Sequence, residues 1–127
     1  MNSNLQIISG RFRGRKLFLP PDARPTQNRA RIALFNMLEC GIVDFGQKMH
    51  IWDAFAGSGA FGMECLSRYA DARVLFTDVA PTSIKTVRDN LATLAVGARA
   101  SVIQTDAIGA IEKYAPDVNM VFVASNK

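Results

Sequence analysis

The stretch that decides the fold is WDAFAGSGAFG, residues 52–62, in which Gly57, Gly59 and Gly62 match the spacing G-x-G-x-x-G. Glycines let the backbone of such a turn approach a ligand closely. The helix that follows offers unpaired N–H groups and the positive end of its dipole. The pattern therefore indicates a site for a nucleotide-like ligand, and by itself it fits several of them. No Gly-Lys-Ser or Gly-Lys-Thr follows, which argues against a Walker-type phosphate-binding loop.

Around this turn, strand-like and helix-like segments alternate. The turn joins a predicted strand, MHIW (49–52), to a helix predicted over residues 58–69. Further strands are predicted at RVLFT (73–77), ASVIQT (100–105) and VNMVFV (118–123), separated by a helix beginning at Pro81 and a shorter one in DAIGAIEKY (106–114). Alternating βα units predict an α/β, Rossmann-like fold with a parallel sheet and helices on both faces.

The first forty residues do not follow this rhythm, and we expect residues 1–40 to form an extension packed on a core of residues 41–127. The segment LQIISGRFRGRKLFLP (5–20) predicts a small β-hairpin or extended arm, with Ile8, Phe12 and Leu17 on one side. A helix capped by Thr26 or Asn28 is predicted to run to about Leu38. Its apolar face would hold Ala30, Leu34, Phe35 and Leu38, and its arginines Arg29 and Arg31 would point elsewhere.

Positive charge is concentrated in the same extension. The net charge is +4, but residues 1–31 hold seven Lys or Arg residues against one Asp, and the rest of the chain is slightly acidic. Contacts of Lys and Arg with phosphates release counterions and supply most of the non-specific affinity for nucleic acid. The charge distribution therefore favours a polyanionic partner over a basic tail that is merely solvated.

Length and composition narrow the class of protein further. The chain has 127 residues, of which 49% are apolar, as expected for one globular domain. It has neither a membrane-spanning apolar stretch nor a signal-peptide pattern. Cys40 and Cys65, with His50 as the single histidine, have no metal-ligand spacing. We expect two reduced cysteines in a cytoplasmic protein without a metal site.

Acidic residues distinguish between ligands for the glycine turn. Asp53 ends the first strand just before the turn, where a carboxylate would repel the pyrophosphate of NAD and attract a cation. S-adenosylmethionine, with its positive sulfur and no phosphate, fits better; an NAD-dependent oxidoreductase is the least favoured alternative. Asp78 ends the second strand, where an acid can accept hydrogen bonds from ribose hydroxyls. Asp106 follows the third strand and would either accept a hydrogen bond from adenine or cap a helix.

Several segments together resemble the RsmD-like RNA methyltransferases, bacterial enzymes that use S-adenosylmethionine to methylate the exocyclic N2 of a guanine in small-subunit ribosomal RNA. The matching segments cover nearly the whole chain in the family's order: IISGRFRGRKL, RPTQNRARIALFN, DAFAGSGAFGMECLSR, the acid in FTD, and TDA. The glycine turn is common to many methyltransferases. The basic arm and the RPT…R…ALFN helix are much more specific to this family.

The resemblance implies roles for the matching positions and a ribosomal RNA or small-subunit partner. The implied cofactor-binding residues are Asp53, Phe55, Gly57, Gly59, Asp78, Asp106 and Ala107, with Asp78 where the family usually has Glu. The implied RNA-binding residues are Arg11, Arg13, Arg15, Lys16, Arg24, Thr26, Arg29 and Arg31. Ile32 stands where the family usually has Glu, so any role of that acid is lost.

The resemblance stops at the fourth predicted strand. In the family this strand runs into Asn/Asp-Pro-Pro-Tyr/Phe, which orients the guanine amino group and stacks on the base. Here those positions are Ala124, Ser125, Asn126 and Lys127, so no catalytic residue is identified. We expect roughly 60 residues of the fold to be absent and little activity from this chain alone. The alternative is a non-catalytic RNA-binding protein derived from such an enzyme.

Overall fold

The computed structural model describes residues 5–20, 28–42, 48–114, 116 and 118–123, and within them the strands form one parallel sheet. The strands are β1 (His50–Asp53), β2 (Arg73–Asp78), β3 (Ala100–Gln104) and β4 (Met120–Phe122). The α-helices of these residues are α1 (Asn28–Met37), α2 (Ala60–Arg68), α3 (Pro81–Leu94) and α4 (Ala107–Tyr114). The predicted α/β architecture is confirmed, with α2 beginning two residues later than expected.

The order of the strands across the sheet is β3-β2-β1-β4. From β1 the chain builds outward through β2 to β3 and then returns to place β4 on the other side of β1. The direction of winding therefore changes between β1 and β4. In open α/β sheets, ligands bind outside the carboxyl ends of the strands at such a switch point. The glycine turn follows β1 and lies at this edge.

Two apolar layers cover the sheet, one on each face. Alternate residues of β1 and β2 point to opposite sides, as expected for extended strands. On one side Ile51, Val74 and Phe76 pack with residues of α2 and α3 and with the N-terminal arm. On the other side Trp52 and Leu75 pack with Ala110 of α4 and its neighbours. The sheet is therefore covered on both faces, as a mainly parallel sheet requires.

The N-terminal segment forms the predicted hairpin. Gln6 and Lys16 form an antiparallel bridge, and the N–H of Ile7 donates to the carbonyl of Arg15 at 2.9 Å. Phe12 and Leu17 are buried, as expected for the inner side of the hairpin. The expectation for Ile8 is wrong: Ile7 is fully buried in its place, and Ile8 is only half-buried. Leu5 and Ile7, two residues apart on an extended segment, share the inward-facing side.

Helix α1 presents a different face to the core from the one the sequence predicted. Arg31 is 3% exposed and points inward beside Phe35, whereas Ala30 is exposed. The expectation that Arg31 points away from the buried face is therefore wrong. A single buried acid is the reason: the guanidinium Nε of Arg31 lies 3.2 Å from Oε1 of Glu64, whose side chain is fully buried in α2. That ion pair makes the burial of a charged residue tolerable.

The third glycine of the turn serves packing rather than ligand approach. A Cβ at Gly62 would lie 2.3 Å from Cε1 of Phe76, so only a glycine lets α2 lie this close to β2. We expect Gly62→Ala to destabilise the protein by about 1–3 kcal/mol through overpacking. Gly109→Ala in α4 is the matched control, because its Cβ would meet nothing within 4 Å and alanine favours a helix. Urea unfolding compares them; equal stability of Gly62→Ala and the wild type would contradict this account.

Candidate cofactor and RNA-binding site

The glycine turn adopts a backbone that other residues reach only with strain. Gly57 and Gly59 have φ values of 57° and 81°, in the left-handed region that favours glycine. The N–H of Gly59 donates to the carbonyl of Ala56 at 2.7 Å, which closes the turn, and α2 begins at the next residue. The turn therefore directs the chain from the end of β1 into the first turn of α2.

Asp53 lies beneath this turn rather than on its outer surface. Its side chain is 2% exposed, and Oδ2 accepts a hydrogen bond from the N–H of Gly62 at 3.3 Å. Burial raises the pKa of the Asp53 carboxyl to about 7, and the negative charge of Asp78 adds to the rise, while the Gly62 hydrogen bond opposes it. A cation placed beside Asp53 would favour the charged carboxylate. The site thus holds an acid whose charge near neutral pH depends on what lies next to it.

Asp78 and Asp106 lie at the carboxyl ends of β2 and β3, as their positions in the sequence predicted. The two carboxylate oxygens of Asp78 accept hydrogen bonds from the N–H groups of Gly57 at 3.0 Å and Ala80 at 2.9 Å. Asp78 therefore ties the glycine turn to the end of β2. The carboxylate of Asp106 accepts the N–H of Ile108 at 3.0 Å, a capping contact at the start of α4. Asp106 is exposed, so a ligand can still reach it.

Phe55 and Ala107 line an apolar groove between the glycine turn, α4 and β4. The groove encloses about 180 Å³, and its lining residues are Trp52, Ala54, Phe55, Ala107, Ile108, Ile111, Val121 and Val123. Every residue that lines it is aliphatic or aromatic. Of the seven positions implied for the cofactor, these two therefore face an apolar space on the α4 side of β1, whereas Asp53 and Asp78 contact the turn itself.

The basic hairpin is fixed to α2 through several polar contacts. The backbone N–H of Arg11 donates to the carbonyl of Ser67 at 2.9 Å, and that of Phe12 donates to the Ser67 hydroxyl at 2.9 Å. A Cβ at Gly10 would lie 2.2 Å from the Ser67 carbonyl oxygen, which shows how closely the two backbones approach. The exposed basic residues of the hairpin are Arg11, Arg13, Arg15 and Lys16. They are held on a rigid support rather than on a loose tail.

The other positions implied for RNA binding divide into two groups. Arg31 is buried against Glu64 and cannot contact a phosphate on the surface, so we remove it from the candidate RNA-binding residues. Arg24 and Thr26, the side chain of Arg29, and the positions 124–127 of the family's catalytic motif all lie outside the described residues. They remain predictions from the sequence.

Two buried polar residues connect the hairpin with the site, and the sequence reasoning did not single them out. Glu64 in α2 accepts hydrogen bonds from the backbone of Ile8 and Ser9, and Asn90 in α3 bonds to the backbone of Phe18 and Ser58. The sequence does hold a sign of them: Glu64 and Asn90 are polar residues at helix positions where the periodic pattern predicts an apolar residue. That signal indicates a buried polar contact but does not say with what.

The described residues offer neither a group of three or more His, Cys, Asp or Glu side chains that could hold a metal ion nor a helix with the length and apolarity to span a membrane. The cysteines are free; Cys65 is buried, and burial raises the pKa of its thiol.

A parallel sheet of this order, with a glycine turn after β1 and acids at the carboxyl ends of β1 and β2, defines the class of Rossmann-like methyltransferase folds. The solved structure of a precorrin-6y C5,15-methyltransferase from Geobacter metallireducens superposes with a TM-score of 0.70 over 87% of this chain and 55% of that one. At 18% identity this likeness shows the fold alone.

The chain belongs to the family described as Conserved hypothetical protein 95, whose model matches residues 5–124, and the RsmD-like resemblance is confirmed. The ribosomal RNA small subunit methyltransferase D of Escherichia coli K12 is 41% identical over 96% of this chain. Its counterpart in Buchnera aphidicola from Acyrthosiphon pisum is 33% identical over 88% of it. The matches cover 60% and 56% of those relatives, so the chain spans well under two thirds of their length.

Proposed function

We propose that this chain is the cofactor-binding and RNA-binding part of an S-adenosylmethionine-dependent methyltransferase that acts on small-subunit ribosomal RNA in the bacterial cytoplasm. The proposed target is the exocyclic N2 of a guanine. The observation that carries the proposal is the buried carboxylate of Asp53 directly beneath the glycine turn. A negative charge there opposes a pyrophosphate and supports a sulfonium or ammonium cation.

The residues present fit S-adenosylmethionine. Asp53 lies next to the turn and is poised to be ionised by a neighbouring cation. The two carboxylate oxygens of Asp78 accept backbone N–H groups of the turn and of Ala80 just before α3, a position from which Asp78 can also accept ribose hydroxyls. Phe55 and Ala107 supply apolar surface beside the turn. Together these residues would bind the amino acid end, the ribose and the adenine.

In the proposed reaction the cofactor supplies an electrophilic methyl group on its sulfur. The guanine amino group is a poor nucleophile, because its lone pair is delocalised into the ring. Acceptors for its hydrogens and a fixed orientation toward the methyl group are therefore needed. This chain contributes cofactor binding and, through its basic hairpin, positioning of the RNA. The acceptors of the family's motif have no match at Ala124, Ser125, Asn126 and Lys127.

The test of this proposal is an isothermal titration of the 127-residue chain with S-adenosylmethionine and with NADH. We expect S-adenosylmethionine to bind and NADH not to bind, because the carboxylate of Asp53 attracts the positive sulfur of S-adenosylmethionine and repels the pyrophosphate of NADH. The Asp78→Asn variant should bind S-adenosylmethionine about tenfold more weakly, since a charged acceptor for the ribose hydroxyls is lost. Asp89→Asn, which changes an exposed acid on α3, is the matched control and should bind normally. Binding of NADH in preference to S-adenosylmethionine would refute the proposal.

The non-catalytic RNA-binding protein remains the second candidate, because the exposed cations lie on a rigid hairpin that needs no cofactor to contact RNA. Titrations of the chain with S-adenosylmethionine and with small-subunit ribosomal RNA separate the candidates. Cofactor binding together with RNA binding supports the first proposal, and we expect little methyl transfer in either case, because residues 124–127 do not match the family's motif. Strong RNA binding without any cofactor binding supports the second.

A further inference from the structure

Phe18 is an exposed aromatic residue in a rigidly held backbone position. It is 59% exposed, although Leu17 before it and Pro20 shortly after it are buried. Its N–H donates to Oδ1 of Asn90 at 2.8 Å, and its carbonyl accepts from Nδ2 of Asn90 at 3.1 Å. One carboxamide therefore satisfies both main-chain groups of Phe18, whose ring lies on the outside of the protein.

The same carboxamide also contacts the glycine turn. Asn90 is 1% exposed, and its Nδ2 donates a second hydrogen bond, at 2.9 Å, to the carbonyl of Ser58 between Gly57 and Gly59. The two N–H bonds of the amide are thus shared between the hairpin's last residues and the turn. This arrangement holds the Phe18 backbone next to the proposed cofactor site and fixes the distance between them.

The surroundings of Phe18 in the chain are basic. The exposed residues of the hairpin that precede it include Arg13, Arg15 and Lys16, and residues 5–20 contain no acid. Phe12, the other aromatic residue of the hairpin, is buried and lies beneath the guanidinium groups of Arg11 and Arg15. The two phenylalanines therefore differ in role: Phe12 anchors the hairpin, and Phe18 presents its ring to whatever binds there.

We propose that Phe18 is a stacking platform for an unpaired base of the bound RNA, a step that rests on the RNA-binding part of the proposed function. Cations that contact phosphates next to an aromatic ring that stacks on a base are the usual means of binding single-stranded RNA. A strand whose phosphates follow the hairpin would bring a base over Phe18 at the edge of the glycine turn. Because the backbone is already fixed, little conformational freedom is lost when the base binds.

The test compares the affinity of the 127-residue chain for a short single-stranded RNA and for an RNA duplex of the same length. Phe18→Ala should weaken single-strand binding about 5- to 100-fold, the range of one base–aromatic stack. Phe18→Trp should retain the affinity, and Phe18→Leu, which is apolar but has no π face, should not. Duplex affinity, the salt dependence of binding and S-adenosylmethionine affinity should stay unchanged, because no phosphate or cofactor contact is removed.

Each contrary outcome has its own meaning. If single-stranded RNA binds in a salt-dependent way but Phe18→Ala binds it as tightly as the wild type, the stacking role is wrong and the proposed function stands. If Phe18→Ala lowers S-adenosylmethionine affinity instead, the ring belongs to the cofactor site and the RNA proposal for it fails. If Phe18→Leu keeps full affinity, the contact is apolar without stacking. Absence of any RNA binding by the wild type overturns both proposals.

Discussion

Replacing Glu64 with alanine is expected to cost about 3–5 kcal/mol of folding free energy, because it removes one partner of a buried ion pair and leaves the other charge uncompensated. The carboxylate is fully buried and lies 3.2 Å from Nε of Arg31 and 2.7 Å from Nε of Arg68. It also accepts the N–H groups of Ile8 and Ser9, each at 3.0 Å. Its removal leaves a buried arginine without its counter-charge and two backbone donors without an acceptor.

Urea unfolding followed by circular dichroism measures this loss. Glu64→Gln, which keeps the shape and can still accept hydrogen bonds, should lie between the wild type and Glu64→Ala. It also provides a measurement if the alanine variant does not fold. Asp89→Ala is the matched control, because it breaks an exposed pair with Lys85 on α3 and should cost less than about 1 kcal/mol. A Glu64→Ala loss no larger than that of the control would contradict the role given to Glu64.

The same network explains how the hairpin and α2 are coupled. Arg68 joins Glu64 to Glu39, just after α1, and its guanidinium lies over the ring of Phe35 at 4.4 Å from the centroid. Helix α2 therefore begins directly after the glycine turn. One turn later its Glu64 binds the hairpin, and two turns later its Arg68 contacts the segment that follows α1. Loss of Glu64 should release the hairpin first, and hydrogen exchange at Ile8 and Ser9 would report it.

Asp53→Asn is expected to stabilise the protein at pH 8 by up to roughly 4 kcal/mol while weakening S-adenosylmethionine binding. The Asp53 pKa rises from 3.8 to about 7, chiefly because the carboxyl is buried. Below pH 4 the carboxyl is protonated in both the folded and the unfolded state and has no effect. Between pH 4 and 7 the unfolded chain releases the proton while the folded protein keeps it, so stability falls as the pH rises. An asparagine has no such titration.

Urea unfolding at pH 4.5 and pH 8 tests the prediction for Asp53. The difference in unfolding free energy between Asp53→Asn and the wild type should be small at pH 4.5 and large at pH 8. Asp106→Asn, which replaces an exposed acid at the same sheet edge, is the control for the loss of a surface carboxylate. In titrations with S-adenosylmethionine, the affinity of the wild type should rise with pH through about 7, and that of Asp53→Asn should not. A difference in stability that is independent of pH would contradict the assignment.

At Asp53 the requirements of cofactor binding and of folding stability oppose one another. Asp53 is costly to keep charged in the free protein, because the turn and α2 exclude water from it. A cationic ligand bound next to Asp53 would offset that cost. The charged, poorly solvated carboxylate therefore destabilises the free protein and favours binding of the cation. Active and binding sites commonly hold such groups at the expense of stability.

Local patterns were sufficient to predict the sheet and its glycine turn. The apolar runs of β1 to β4, the stripe of α3 and the spacing of Gly57, Gly59 and Gly62 are short-range features, and each predicted the element that the structure contains. The edge of the sheet at which the acids lie followed from the rule that parallel strands end at one side. The place of Asp78 at the end of β2 was therefore predictable before any contact was known.

Long-range pairing decided the remainder, because a sequence does not state which polar residue meets which. Arg31 was expected on the surface and is buried, since its partner Glu64 lies 33 residues away and only the packing of α1 on α2 brings the two together. The link from Phe18 through Asn90 to Ser58 joins three separate segments in the same way. The sequence by itself predicted the fold, through periodicity and the spacing of the glycine turn, whereas the ligand that it favoured, S-adenosylmethionine, stays a proposal. Only the tertiary structure decided how the basic hairpin is fixed against the site, because buried hydrogen bonds between distant residues fix that position.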